Sequence, residues 1–120
     1  MLQHLLTDPE YGASLKAAGP SYTALDGDKV VACIGMVNIW EGRAQVWALI
    51  ADGVGRKFFY IHKMVERALR LHPCKRVETT VTSDFVEGHR WMTMLGFERE
   101  GCMRAYTPEG LDTDLYARVS

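Results

Sequence analysis

Residues 77–101, VETTVTSDFVEGHRWMTMLGFEREG, decide the fold. Val77-Glu78-Thr79-Thr80-Val81-Thr82 alternates β-branched residues and reads as a strand. Ser83 or Asp84 then offers an N-cap oxygen for a helix start. Phe85, His89, Met92 and Leu95 follow at helical spacing, and Gly96 suits the residue after a helix end. Phe97 opens a further strand. The unit predicted is a strand, a capped helix of about three turns and a glycine stop.

Outward from this unit the rhythm is regular. Lys57 to about Leu71 is a predicted helix, with Phe58, Ile61, Val65, Ala68 and Leu69 on one face and Lys63, Arg67 and Arg70 largely off it. His72-Pro73 ends it. The loop Asp52-Gly53-Val54-Gly55-Arg56-Lys57 joins it to a strand over Ala44–Ala51. Before that, Ser21–Leu25 and Lys29–Ile39 form a predicted hairpin around Asp26-Gly27-Asp28. The second of these is apolar on both faces, and Gly35 within it marks a bulge or a close backbone approach. Trp40-Glu41-Gly42-Arg43 is a turn. Phe97–Tyr106 and Asp112–Val119 are the last strands, linked through Thr107-Pro108-Glu109-Gly110. Met1–Leu6 and Tyr11–Ala18 read as short helical packing pieces, and nothing before Gly19 reads as a strand. Strand, glycine loop, helix and strand over 44–82 make a βαβ unit with parallel strands.

The motif Trp91-x-x-x-Leu95-Gly96-Phe97-Glu98-x-Glu100-Gly101, with this order of elements before it, resembles the C-terminal half of a GNAT-type N-acetyltransferase. The resemblance covers roughly residues 20–120. It implies an α/β (α+β) fold, with a central mixed, mostly antiparallel sheet, a βαβ unit, helices on both faces and the usual first strand missing. Residues 1–120 would be one acyl-CoA-binding domain. Gly55-Arg56 at the start of the central helix and Gly88-His89-Arg90-Trp91 in the next also look like small GNAT-like proteins of tailed phages.

Composition sets outer bounds. A 120-residue chain with 48% apolar and 24% charged residues is ordinary for one globular domain. No apolar run reaches the ~18 residues of a membrane span, and the N-terminus lacks the pattern of a signal peptide. Cys33, Cys74 and Cys102 are odd in number and widely spaced, which argues for a reducing compartment, the cytoplasm, or the host's cytoplasm if the chain is phage-encoded. They form no zinc-like pattern with His4, His62, His72 and His89, so no metal is expected. The net charge of −1 gives no global attraction to nucleic acid, although seven of the 14 Lys and Arg residues lie between Arg56 and Arg76.

Chemistry concentrates in three places. A loop entering a helix N-terminus presents unpaired N–H groups and partial positive charge, which suit a phosphate. Gly53, Val54, Gly55, Arg56 and Lys57 supply that loop, and the resemblance makes it the seat of the coenzyme A diphosphate. Ile50 stands where the family's phosphate motif begins with a polar residue. The resemblance also implies that the strands 44–51 and 77–82 diverge at their C-terminal ends. A main-chain N–H of Leu49, Ile50 or Ala51 would then hold the thioester carbonyl. For acid–base work the family's tyrosine position falls on Met92, which carries no proton, and its helix-start asparagine on Phe85. The remaining catalytic candidates are His89, Ser83 and Asp84, with Asp52 or Glu41 as a base for an amine; for His89 a packing role is the alternative. Trp40, Trp47 and Trp91 are core residues or the walls of an acceptor pocket. The expectation is acetyl transfer from acetyl-CoA to a primary amine, on a protein lysine or N-terminus or a small molecule, by direct attack in a ternary complex. The rival expectation is a catalytically inactive GNAT-shaped protein that acts by partner binding, such as a phage accessory or virion-associated protein. A membrane partner is not expected, and a homodimer is left open.

Overall fold

A computed structural model describes Leu2–Gln3 and residues 19–120. The elements are β1 (Leu2–Gln3), β2 (Ser21–Asp26), β3 (Lys29–Trp40), β4 (Arg43–Ile50), a 3-10 turn (Gly55–Lys57), α1 (Phe58–Leu71), β5 (Arg76–Thr82), α2 (Val86–Met94), β6 (Glu98–Met103) and β7 (Thr113–Val119). Strands β2 to β7 form one mixed sheet in the order β2-β3-β4-β5-β7-β6. Only β4–β5 is parallel within that row; the other neighbours are antiparallel. Among the described residues no helix is long and apolar enough to cross a membrane.

Each element follows from local chemistry. Asp26 faces Lys29 across the first hairpin, and Gly27 takes the left-handed φ of +61° that a two-residue loop requires. Gly35 marks a close approach, not a bulge. It pairs directly with Trp47, and a Cβ there would stand 2.5 Å from the indole Cζ2. The apolar stripe of α1, Ile61, Val65, Ala68 and Leu69, is buried on the sheet. It shares one core with Ala32, Ile34, Ala48 and Val77 of the strands and with Trp91, Met92 and Leu95 from the second helix region. Both described helices therefore pack on the same sheet face, and Phe58 meets the Trp91 ring edge-on at 4.9 Å. Of the piece expected to be helical over Met1–Leu6, Leu2–Gln3 is a strand instead; its other residues, and the piece over Tyr11–Ala18, lie outside the described residues.

Two expectations need correction. A first strand exists. Leu2–Gln3 is β1, parallel to β4, with Leu2 opposite Ala48 and Gln3 opposite Leu49. Two residues are too few to show a periodic pattern. What forms the strand is the unpaired edge that β4 presents there, not local propensity. The second helix begins later than Ser83 or Asp84 predicts. Phe85 is its N-cap residue and makes no side-chain cap bond. Ser83 Oγ instead donates to Asp114 Oδ1 at 2.7 Å, so a buried tertiary carboxylate has outcompeted the local cap.

Candidate active-site cleft

The parallel pair β4–β5 is short. Its register runs Arg43↔Arg76, Ala44↔Val77 and Gln45↔Glu78, and goes no further. Beyond it the Thr79 hydroxyl donates to the Val46 carbonyl at 3.0 Å. Strand alternation then fixes which groups face the gap. Ala51 N–H runs the other way, to Val31 O of β3 at 2.9 Å. The main-chain groups of Val46, Ala48 and Ile50 therefore point towards β5, and those of Leu49 and Ala51 point towards β3. Of the three residues expected to hold a thioester carbonyl, only Ile50 has its N–H on the gap side.

The gap has an inner and an outer part. On its other edge β4 is paired with β3, through Ile34↔Ala48 and Cys33↔Leu49. Leu2–Gln3 must therefore lie on the β5 side, and it fills the inner part of the divergence, its parallel register engaging the gap-side groups of Ala48 and sending Ile50 N–H to Gln3 O. The outer part is an open cleft of about 960 Å³. Ile50, Ala51, Asp52 and Gly53 line it at the end of β4, and Thr82 at the end of β5. Phe85, Glu87, Gly88 and Trp91 come from the second helix region, Phe58 from α1, and Thr107, Glu109 and Leu111 from the β6–β7 loop.

The loop into α1 is shaped for close approach. Gly53 and Gly55 have φ of +74° and +53°, and a Cβ at either would meet none of the described residues within 4 Å. The backbone turn demands glycine. Lys57 N–H closes the 3-10 turn on Val54 O at 3.0 Å, and no side chain caps this turn or α1. No acid pairs with Arg56 among the described residues, whereas Lys57 is ion-paired with Asp26. Arg56 is thus the cation of this loop left for a ligand.

The acid–base candidates fall in different places. Asp52 lines the cleft. Glu41 sits in the turn before β4, roughly 25 Å away at 3.3 Å per strand residue, and is remote from it. Asp84 is exposed in the turn between β5 and α2. Ser83 and His89 belong to a polar cluster under α2 and are not among the cleft's lining residues. In that cluster Asp114 Oδ2 accepts from Arg99 Nε at 2.9 Å, and Asp114 Oδ1 from Ser83. The Arg99 bond, helped by Ser83, holds the Asp114 carboxyl below its ordinary pKa against the opposing effect of burial. Burial and the Asp114 charge push the Tyr116 phenol up. Trp47 and Trp91 are buried; Trp40 is exposed and carries the Arg43 guanidinium 4.5 Å from its ring centroid. Of the three only Trp91 meets the cleft, and its Nε1–H donates to His62 Nδ1 at 3.0 Å.

Sequence reasoning missed the third wall. Thr107-Pro108-Glu109-Gly110 reads as a link between strands, and no local signal shows that it reaches the ends of β4 and β5. It also missed the charge of the lining, where Asp52, Glu87 and Glu109 contribute carboxylates and, among the described residues, no Lys or Arg contributes.

No protein-family model and no curated protein matches this sequence. Solved structures do match in shape. An IAA acetyltransferase from Bacillus cereus superposes with a TM-score of 0.77 at 12% identity, over 96% of this chain and 87% of that one. A GNAT family acetyltransferase from Elizabethkingia anophelis, solved with acetyl-CoA bound, gives 0.76 at 12% identity, over 96% and 85%. The ribosomal-protein-S18-alanine N-acetyltransferase of Escherichia coli gives 0.74 at 13% identity, over 92% and 74%. At such identities the likeness is one of architecture. The diverging parallel pair, the glycine loop and the strand order give this chain the fold of the GNAT acetyltransferases.

Proposed function

We propose that this protein transfers an acyl group, most simply acetyl, from acetyl-CoA to a primary amine. The observation that carries the reading is the gap between β4 and β5, which opens beyond Gln45↔Glu78 into the cleft at Ile50–Gly53, with the uncapped, glycine-lined start of α1 beside it. In this reading the diphosphate rests on the amides of residues 53–56 with Arg56 as its cation. The thioester carbonyl takes the place of the Gln3 carbonyl as acceptor from Ile50 N–H, which then also stabilises the oxyanion formed on attack. The amine nitrogen bonds to the carbonyl carbon, the C–S bond breaks, and the thiolate leaves. The ammonium proton passes to Asp52, which follows Ile50 by two residues in the lining, or to water. Direct attack needs no strong protein acid, which accommodates the buried Met92. Positioning of the two reactants supplies most of the rate.

The carboxylates of Asp52, Glu87 and Glu109 favour a cationic amine over an anionic acceptor. The structures of similar shape include a ribosomal-protein-S18-alanine N-acetyltransferase and a spermidine N-acetyltransferase. Both suit an amine acceptor here without choosing between protein and small molecule.

A second reading, partner binding without catalysis, is favoured by one observation: β1 takes up main-chain positions on the same edge of β4. The narrower resemblance to phage GNAT-like proteins fits it. Calorimetry with acetyl-CoA, followed by thiol release over a panel of amines, separates the two. Saturable binding with amine-dependent thiol release is the expected result. No heat at millimolar acetyl-CoA would leave the partner-binding reading.

A further inference from the structure

His89 sits on α2 with its ring against the end of β5. Its Nε2 lies 3.2 Å from the Thr82 carbonyl and 3.0 Å from the Ser83 carbonyl. Carbonyls only accept, so Nε2 carries the hydrogen. Nδ1 lies 2.6 Å from the Tyr116 hydroxyl and 3.8 Å from Asp114 Oδ2; in the neutral ring it is the bare nitrogen and accepts from that hydroxyl. Both ring nitrogens are engaged by groups of the fold.

The Thr82 carbonyl is the informative partner. Ser83 N–H runs to Asp112 O, on the β7 side. By alternation the main chain of Thr82 faces the other edge, which is the gap towards β4. Thr82 O also accepts from Phe85 N–H at 2.9 Å. The last gap-side carbonyl of β5 is therefore drawn onto the start of α2 by two donors. It does not extend the ladder, and it does not compete for the amides on the edge of β4.

We propose that His89 is a positioning residue that keeps the acyl-binding gap open by holding the Thr82 and Ser83 carbonyls on α2. This inference rests on the acetyl-CoA reading above. The ring acts through the strand end and touches no reacting atom.

Two substitutions divide the ring's functions. The amide nitrogen of glutamine sits about where Nε2 does, and that of asparagine reaches only as far as Nδ1. His89→Gln keeps the donor to the strand end and loses Tyr116; His89→Asn does the reverse. By calorimetry with acetyl-CoA, His89→Gln is expected to stay within about twofold of the wild type and His89→Asn to weaken by about tenfold, the scale of one lost hydrogen bond. Tyr116→Phe, which removes only the other partner, should bind like the wild type. Amide exchange at Phe85, followed by NMR without ligand, should quicken in His89→Asn and not in His89→Gln. Equal affinities in the two His89 variants would overturn the proposal, and so would equal Phe85 exchange. A wild type that takes up no acetyl-CoA would strike the transferase reading itself. The exchange result would then still decide whether His89 pins the strand end.

Discussion

At the scale of single residues, two charged groups carry separate predictions. Arg56 is the one basic side chain of the α1 entry loop that no acid of the described residues engages, since Asp26 holds Lys57. Arg56→Ala should weaken acetyl-CoA binding by about 1–3 kcal/mol, the loss of a charge-assisted contact, while a Lys57→Ala change should cost less. Calorimetry reads both, and an unchanged Arg56→Ala would move the diphosphate elsewhere. Glu78 is buried between Arg43, at 2.5 Å, and Arg76, at 2.8 Å. Glu78→Ala removes the shared carboxylate and leaves two half-buried guanidinium groups side by side. The expected loss is about 1–3 kcal/mol in urea unfolding, less than for a fully buried pair because the arginines reach solvent. Such pairings were not legible in the sequence. Glu78 reads there as one outward position of an alternating strand, and only the register of β4 against β5 brings Arg43 to it.

At the scale of elements, the glycines divide by what they do. Gly35 is small because Trp47 of the next strand lies over it. Gly35→Ala should therefore destabilise the fold by about 1–3 kcal/mol, the usual cost of overpacking, without touching the cleft. A Cβ at Gly55 would meet none of the described residues within 4 Å, but its φ is left-handed. Gly55→Ala should cost about 1–2 kcal/mol of local strain and turn the amides at 55 and 56, so that acetyl-CoA affinity falls together with stability. Thermal unfolding and calorimetry on the two variants separate a packing glycine from a conformational one. Equal loss of affinity in both would contradict the assignment. The elements themselves were largely legible, because hairpin chemistry at Asp26-Gly27-Asp28 and helical spacing over 57–71 are local signals. The start of α2 was not, because a capping serine cannot be told from one recruited by a distant Asp114. Nor was β1, whose existence depends on an edge formed by residues far along the chain.

At the scale of the molecule, several carboxylates have pKa values held low in the fold. For Glu78 the main cause is Arg43, and for Asp114 it is Arg99. A carboxyl with a depressed folded pKa stabilises above its unfolded value, near 4, and that contribution is lost as the pH falls through the folded value. The urea midpoint should therefore drop between about pH 5 and pH 2, and Glu78→Gln should flatten the drop. A profile unchanged by Glu78→Gln would remove this group from the account. The overall architecture was readable from the order of elements and from the motif ending in Gly101. The cleft was readable at its β4, β5 and α1 sides. Its Glu109 wall and the Leu2–Gln3 strand depend on tertiary meetings that no local pattern encodes.

The central claim is that the outer gap beside β4 and the start of α1 together receive acetyl-CoA. The most direct measurement is an amide NMR titration of the whole chain with acetyl-CoA. The account predicts saturable shifts centred on Ile50, Gly53, Gly55 and Arg56, with smaller ones at Thr82 and Phe85. Millimolar acetyl-CoA that leaves those amides unmoved, or moves a different surface, would contradict it.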